Sequence, residues 1–170
     1  DIHDKKIEDA YYGTRNQPIT VNGFHKETYK YAENSNNIID AHAPVDGKAV
    51  AVPHDWNETA NAAGGIMSNI TDMSTWANFL MNGFVTKDGK KLVSDKNRHE
   101  LWTLQMPDKV AANNPYGTKF YGYGLGWFLS DVKGHFQVQH SGGLIGTVTH
   151  FTMFPDLKLG IVVLTNQQSG

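Results

Sequence analysis

The sequence contains no cysteine. Disulfides, a thiolate nucleophile and sulfur-based zinc or iron–sulfur sites are thereby excluded, and the redox compartment is left open. Long hydrophobic runs are also missing. The longest apolar stretch, Leu159 to Leu164, is far shorter than the roughly 20 residues that cross a bilayer as a helix. The opening residues Asp1-Ile2-His3-Asp4-Lys5-Lys6 lack a signal-peptide core, so the expectation is either a cytosolic protein or an interior piece of a longer precursor. Neither charge dominates: 15 Lys and Arg face 17 Asp and Glu, scattered rather than gathered in stripes, for a formal net charge of -2. That balance predicts no nucleic-acid partner and no attraction to an anionic membrane. The 8 histidines form no His-Glu-x-x-His or His-x-His arrangement, and His99 and its neighbour Glu100 point to different helix faces. Neither a metal site nor a cofactor is predicted.

What is present suffices for a folded domain: 170 residues, 39% hydrophobic and 11% aromatic, hold enough apolar side chain for one core. Residues 1–37 are polar and irregular, with a turn signal at Asn22-Gly23 and no functional reading. Asp46-Gly47 and Asp88-Gly89 each lie between apolar or β-branched runs and predict two small hairpins, because glycine tolerates positive φ. Between them, Ala62-Ala63-Gly64-Gly65 reads as a close-packed turn entering a helix from about Asp72 to Asn82. Asn69 or Thr71 offers the cap, Met73, Trp76, Ala77 and Leu80 the buried stripe, and Gly83 the stop. A second helix is predicted from Ser94, with Leu101, Trp102 and Leu104 on its buried side. Trp76 and Trp102 read as core; Trp127 fits either core or a cleft wall, and core is favoured.

The last third changes to strand-like segments: Tyr121 to Leu129, Phe136 to His140, Val148 to Phe154 and Leu159 to Asn166. Short turns between them predict an antiparallel meander. Gly160 to Leu164 is apolar on both faces, which predicts a central strand covered by helices. The glycines of Tyr121-Gly122-Tyr123-Gly124-Leu125-Gly126 open no helix, so they make no phosphate loop and instead suggest bends or bulges in a crowded sheet. The fold class expected is α/β of the α+β type, a mainly antiparallel sheet flanked by helices.

One constellation carries chemistry. His140-Ser141-Gly142-Gly143 follows a strand and precedes the turn Leu144-Ile145-Gly146, placing an imidazole, a hydroxyl and unhindered backbone N–H groups at a strand end. It is a polar lip suited to a cleft; the plainer reading of His140 is a strand histidine bonded to a neighbour.

The ordered combination resembles the C-terminal half of the β-lactamase-related serine hydrolase family, which includes class C β-lactamases, D-alanyl-D-alanine carboxypeptidases, other penicillin-binding proteins and esterases. It comprises Ala-Gly-Gly-Ile-x-Ser-Asn-x-x-Asp-Met (Ala63 to Met73), Tyr-Gly-Leu-Gly-Trp (Tyr123 to Trp127), His-Ser-Gly-Gly, and Phe-Pro-Asp-x-x-x-Gly-Ile-Val-Val-Leu-Thr-Asn (Phe154 to Asn166). The resemblance runs from about Ile38 to the end, making residues 38–170 the C-terminal part of a β-lactamase/transpeptidase-like domain. It implies that His140-Ser141-Gly142 stands at the family's Lys-Thr-Gly position. His140 and Ser141 would then face the substrate carboxylate or the proton-transfer network, Gly142 would let the acyl chain lie against the strand, and the Gly143 N–H would be an oxyanion donor. It also implies a small-molecule or peptidoglycan-like substrate and an extracytoplasmic location.

The departures matter as much. The family's nucleophile lies in a Ser-x-x-Lys motif at a helix start, whereas the one literal match here, Ser130-Asp131-Val132-Lys133, follows the Tyr-Gly-Leu-Gly-Trp strand and reads as a solvent-facing hairpin turn. The family's Tyr-x-Asn motif does not occur. Both precede this region in the family's chain order, so the expectation is a fragment that supplies the His-Ser-Gly wall and an oxyanion donor but does not turn over substrate alone. Its exposed interface would favour self-association. The alternatives are a non-catalytic peptidoglycan- or partner-binding module and a lipid or short-chain ester hydrolase on the same scaffold.

Overall fold

The structure is a computed structural model describing residues 38–52, 61–64 and 66–168. The segment 1–37 and its Asn22-Gly23 turn signal lie outside the described residues. Two compact units divide the chain. The first gathers 1–73, 142–149 and 164–170; the second gathers 74–141 and 150–163.

In the first unit, strands β1 (Ala41–Val45) and β2 (Lys48–Val52) pair antiparallel around Asp46 and Gly47. Their φ values of 51° and 74° give the doubly left-handed turn that suits the twist of a two-residue hairpin. The backbone of His42 ties β1 down: its N–H lies 3.0 Å from the Gly146 carbonyl and 2.9 Å from that of Asn166, and its own carbonyl accepts from the N–H of Gln168. Gly146, at φ 81°, meets this point from the tip of another hairpin; a Cβ there would lie 2.6 Å from Ala41 Cβ and 2.8 Å from His42 N. Helix α1 (Asn61–Gly64) is a single turn. The start of helix α2 (Ile70–Met81) is capped by Asn69 rather than Thr71: the Asn69 side-chain oxygen accepts from the Asp72 N–H at 3.1 Å, and its amide donates to the Asp72 carboxylate at 2.6 Å.

In the second unit, α2 buries Ala77 and Leu80. It ends in a left-handed cap at Gly83 (φ 77°), where the N–H of Phe84 reaches the Phe79 carbonyl at 2.9 Å and that of Gly83 reaches the Leu80 carbonyl at 3.2 Å. Phe84 follows, packed edge-on against Phe79 and tilted against Trp102. The Asp88-Gly89 turn closes a small hairpin through the Val85–Lys91 bridge. Helix α3 (Asp95–Leu101) starts where the sequence predicts, with Ser94 Oγ accepting from the N–H of Asn97.

One sheet follows in the order β3 (Met106–Asp108), β4 (Tyr121–Tyr123), β5 (Phe128–Val132), β6 (His135–Leu144), β7 (Thr147–Phe154), β8 (Leu159–Thr165). Every strand lies beside its sequence neighbour, as a meander requires. Tyr121 to Leu129 is not one strand but two. Gly124 and Trp127 bond across a turn at 2.8 Å and Gly126 turns at φ 81°. Crowding explains the alternating glycines: a Cβ on Gly122 would run into the Met106 carbonyl oxygen, and one on Gly124 would lie 2.8 Å from that of Leu101.

Leu129 and Val138 sit opposite each other on β5 and β6, and both are buried, as are Phe151 and Met153 of β7. Neighbouring positions carry a buried polar ladder instead. Ser130 Oγ donates to Gln137 Oε1 at 2.8 Å, and Gln137 Nε2 donates to Thr152 Oγ1 at 3.0 Å.

Three expectations need correction. Among the described residues β8 has a strand on one side only, β7, where the sequence predicts a central strand, because it is the last strand of a meander. Gly160 packs against Ala77 and Met81 of α2, while Leu159, Ile161 and Val163 alternate to the other side and are 43–46% exposed. Ser130 and Asp131 are buried residues of β5, and the turn is confined to Lys133-Gly134. Trp76, Trp102 and Trp127 are half-buried rather than fully enclosed. Trp127 lies against Phe151.

Candidate active site

His140, Ser141, Gly142 and Gly143 follow one another along β6. The strand is buried at Val138, half-buried at Gln139 and exposed from His140 onward, so its end emerges from the covered core as an accessible polar segment. The first two residues belong to the second unit and the glycines to the first, and each pair has its own surroundings.

In the second unit, both nitrogens of the His140 ring are engaged. Nδ1 lies 2.6 Å from the carbonyl oxygen of Ser141, and Nε2 lies 3.0 Å from the hydroxyl of Tyr123. A carbonyl oxygen has no proton to give, so Nδ1 carries the hydrogen. In the neutral ring Nε2 is then the acceptor and Tyr123 the donor. Phe128 completes the cluster, with its centroid 4.7 Å from that of Tyr123 and 5.7 Å from that of His140. The register explains the meeting of residues 17 apart in sequence: Tyr123 faces Phe128 across β4 and β5, and Phe128 faces Gln139, the neighbour of His140. Ser141 is exposed.

In the first unit, Gly142 and Gly143 differ. A Cβ on Gly142 would lie 2.7 Å from Thr149 Oγ1, so a larger residue there would have to displace the threonine side chain; at Gly143 the nearest atom among the described residues is the Thr147 carbonyl oxygen at 4.0 Å. Gly143 therefore meets no steric demand for glycine, and an oxyanion role there rests on its N–H alone.

Ser130, the literal Ser-x-x-Lys match, is 4% exposed on a strand and donates to Gln137. The partner of its hydroxyl is thus an amide rather than the base that a nucleophile needs. Asp131 is likewise structural. The backbone N–H of Lys119 at 2.6 Å, with that of Phe120, holds its carboxyl below the ordinary range despite burial, and fastens the loop before β4 to β5.

Tyr123 is the functional candidate that sequence reasoning left out. Its role is not legible in the sequence, because only the β4–β5–β6 adjacency shows that its hydroxyl reaches a histidine.

The sequence model of the family described as Beta-lactamase matches residues 18–170, beginning upstream of Ile38, where the motif resemblance starts. Among solved structures, the octameric penicillin-binding protein homologue from Pyrococcus abyssi is similar, with a TM-score of 0.70 and 21% identity over 96% of this chain and 32% of that one. The chain thus spans about a third of that protein's length. No curated protein matches it.

Proposed function

The chain belongs to the β-lactamase family, within the serine hydrolases, and from that premise we propose that it forms one wall of an acyl-transfer cleft acting on an amide, β-lactam or ester carbonyl. The single observation that carries the reading is the exposed end of β6, where an imidazole, a hydroxyl and a glycine packed against Thr149, Gly142, stand in sequence beside the Gly143 backbone.

In this reading a serine outside residues 1–170, activated by a lysine or tyrosine, attacks the carbonyl. The tetrahedral oxyanion accepts from the Gly143 N–H, the leaving group departs, and water releases the acyl-enzyme. One such donor lowers the barrier by roughly 3 kcal/mol. Gly142 leaves room for the acyl chain along the strand, and His140 and Ser141, which precede it in sequence, face the substrate carboxylate or the proton-transfer network. By itself the chain is not expected to turn over substrate.

The test is Gly143→Pro in the full-length gene product, which removes the N–H. Hydrolysis of chromogenic ester and cephalosporin substrates should fall about 10²–10³-fold in kcat; an unchanged kcat contradicts the assignment.

The buried, Gln137-bonded Ser130 favours a second reading, a non-catalytic ligand-binding module, should the full-length protein also lack a nucleophile. The exposed face of Leu159, Ile161 and Val163 supports self-association, and the Pyrococcus abyssi homologue is octameric. Sedimentation velocity checks it: concentration-dependent association is the expected result and a monomer at every concentration contradicts it. An extracytoplasmic location follows from family membership as a proposal, and a signal segment in the full reading frame is its test.

A further inference from the structure

We propose that Tyr123 is a positioning residue for His140, and that the pair suits this end of β6 to an uncharged acyl group rather than a carboxylate. The second half of that statement rests on the acyl-transfer reading above.

The argument is one of hydrogen-bond inventory. The Ser141 carbonyl, 2.6 Å from Nδ1, can only accept, so it fixes the proton on Nδ1. Nε2 is left with a lone pair, and Tyr123, 3.0 Å away, has the one hydroxyl hydrogen that satisfies it. The Phe128 ring, edge-on to Tyr123 and tilted against His140, fills the third side and restricts rotation of both groups. A Tyr123 that served only to pack would do so equally well as phenylalanine. Its hydroxyl is the part that packing does not explain.

The consequence concerns the ligand. With both nitrogens occupied, neutral His140 offers no N–H to a carboxylate. For the His140 ring itself to donate to an anion, Nε2 would have to carry a hydrogen and the Tyr123 hydroxyl would have to turn away from it; otherwise a carboxylate meets the Ser141 hydroxyl alone, one donor for a full negative charge. A neutral ester or amide makes no such demand, because the hydroxyl of Ser141 suffices as a donor. The arrangement therefore differs from a wall presenting a free cationic side chain, which would prefer a carboxylate.

The test begins with nitrogen-15 NMR of the His140 ring in the 170-residue chain and in its Tyr123→Phe variant. The expected wild-type result is a pyrrole-type signal from Nδ1 and a hydrogen-bonded pyridine-type signal from Nε2. In Tyr123→Phe the Nε2 signal should move toward that of a free lone pair, with the backbone amide spectrum otherwise preserved. A wild-type proton on Nε2, or an Nε2 signal that the substitution leaves in place, overturns the positioning role. The wild-type spectrum decides this even if the variant does not fold.

The ligand half is read on the full-length gene product as the ratio of labelling rates by an uncharged fluorophosphonate and by a fluorescent penicillin. The wild type should favour the uncharged probe by about tenfold or more, the equivalent of one hydrogen bond to a charged group, and Tyr123→Phe should narrow the ratio. Equal rates, or a ratio that the substitution leaves unchanged, overturn the preference. Labelling by neither probe overturns the acyl-transfer reading and the preference with it, while the positioning role still stands or falls on the NMR result.

Discussion

Gly142 and Thr149 approach so closely that a Cβ on the glycine would lie 2.7 Å from the threonine hydroxyl oxygen. Gly142→Ala must therefore displace Thr149 or part the backbones, at a cost of about 1–3 kcal/mol of stability. Because the clash is with one side-chain atom, Gly142→Ala combined with Thr149→Ala should recover most of the loss. Thermal melts of the two singles and the double measure the coupling; a double variant no better than the sum of the singles contradicts this geometry.

The hairpin tip at Gly146 is constrained twice over, by a φ of 81° and by the backbone of His42 and side chain of Ala41 beside it. Gly146→Ala should destabilise the chain by at least about 1–3 kcal/mol. Gly143→Ala, with nothing nearer than 4.0 Å, should change stability by no more than about 0.5 kcal/mol. Denaturant midpoints that rank the two variants the other way would count against the described turn.

The ladder Ser130–Gln137–Thr152 is buried, with Ser130 at 4% and Thr152 at 6% exposure. Gln137→Leu would leave two hydroxyls without their partners, costing about 1–3 kcal/mol, whereas replacing all three positions as Ser130→Ala, Gln137→Leu and Thr152→Val should be close to neutral. Urea unfolding of the single and triple variants checks this, and a triple variant less stable than the single would refute it.

Two of the described carboxylates, beside the exposed Asp95, contribute to the acid limit of stability. The His135 side chain, 2.6 Å away, holds Asp156 below the ordinary carboxylate range, and the Lys119 N–H does the same for Asp131. A depressed folded pKa contributes stability that is fully present above the unfolded value of about 3.9 and is lost as pH falls through the folded value. Melting temperature should therefore decline below about pH 4, and Asp131→Asn with Asp156→Asn should flatten that limb while leaving the neutral plateau nearly level. An acid limb of unchanged slope in the double variant contradicts the assignment.

Features that depend on a few adjacent residues were legible in the sequence. Asp46-Gly47 and Gly83 announce left-handed backbone, Asn69 and Ser94 announce helix starts, and the His140-Ser141-Gly142-Gly143 run announces a strand end rich in donors. What was not legible depends on who lies beside whom. Apolarity on both faces of β8 predicts a central strand, whereas among the described residues only β7 adjoins it, because composition reports which surfaces are apolar and not whether each is covered. The split of Tyr121 to Leu129 into two strands turns on Gly124 and Gly126, and the reach of Tyr123 to His140 on three strands standing side by side.

The most direct test of the acyl-transfer reading is intact-mass and peptide mapping of the full-length gene product after exposure to a fluorophosphonate and to a fluorescent penicillin, with the 170-residue chain treated in parallel. An adduct on one serine outside these residues, and none on the 170-residue chain, is the result expected of a wall that serves a nucleophile supplied from elsewhere. An adduct on neither protein, or on a serine within this chain, would contradict it.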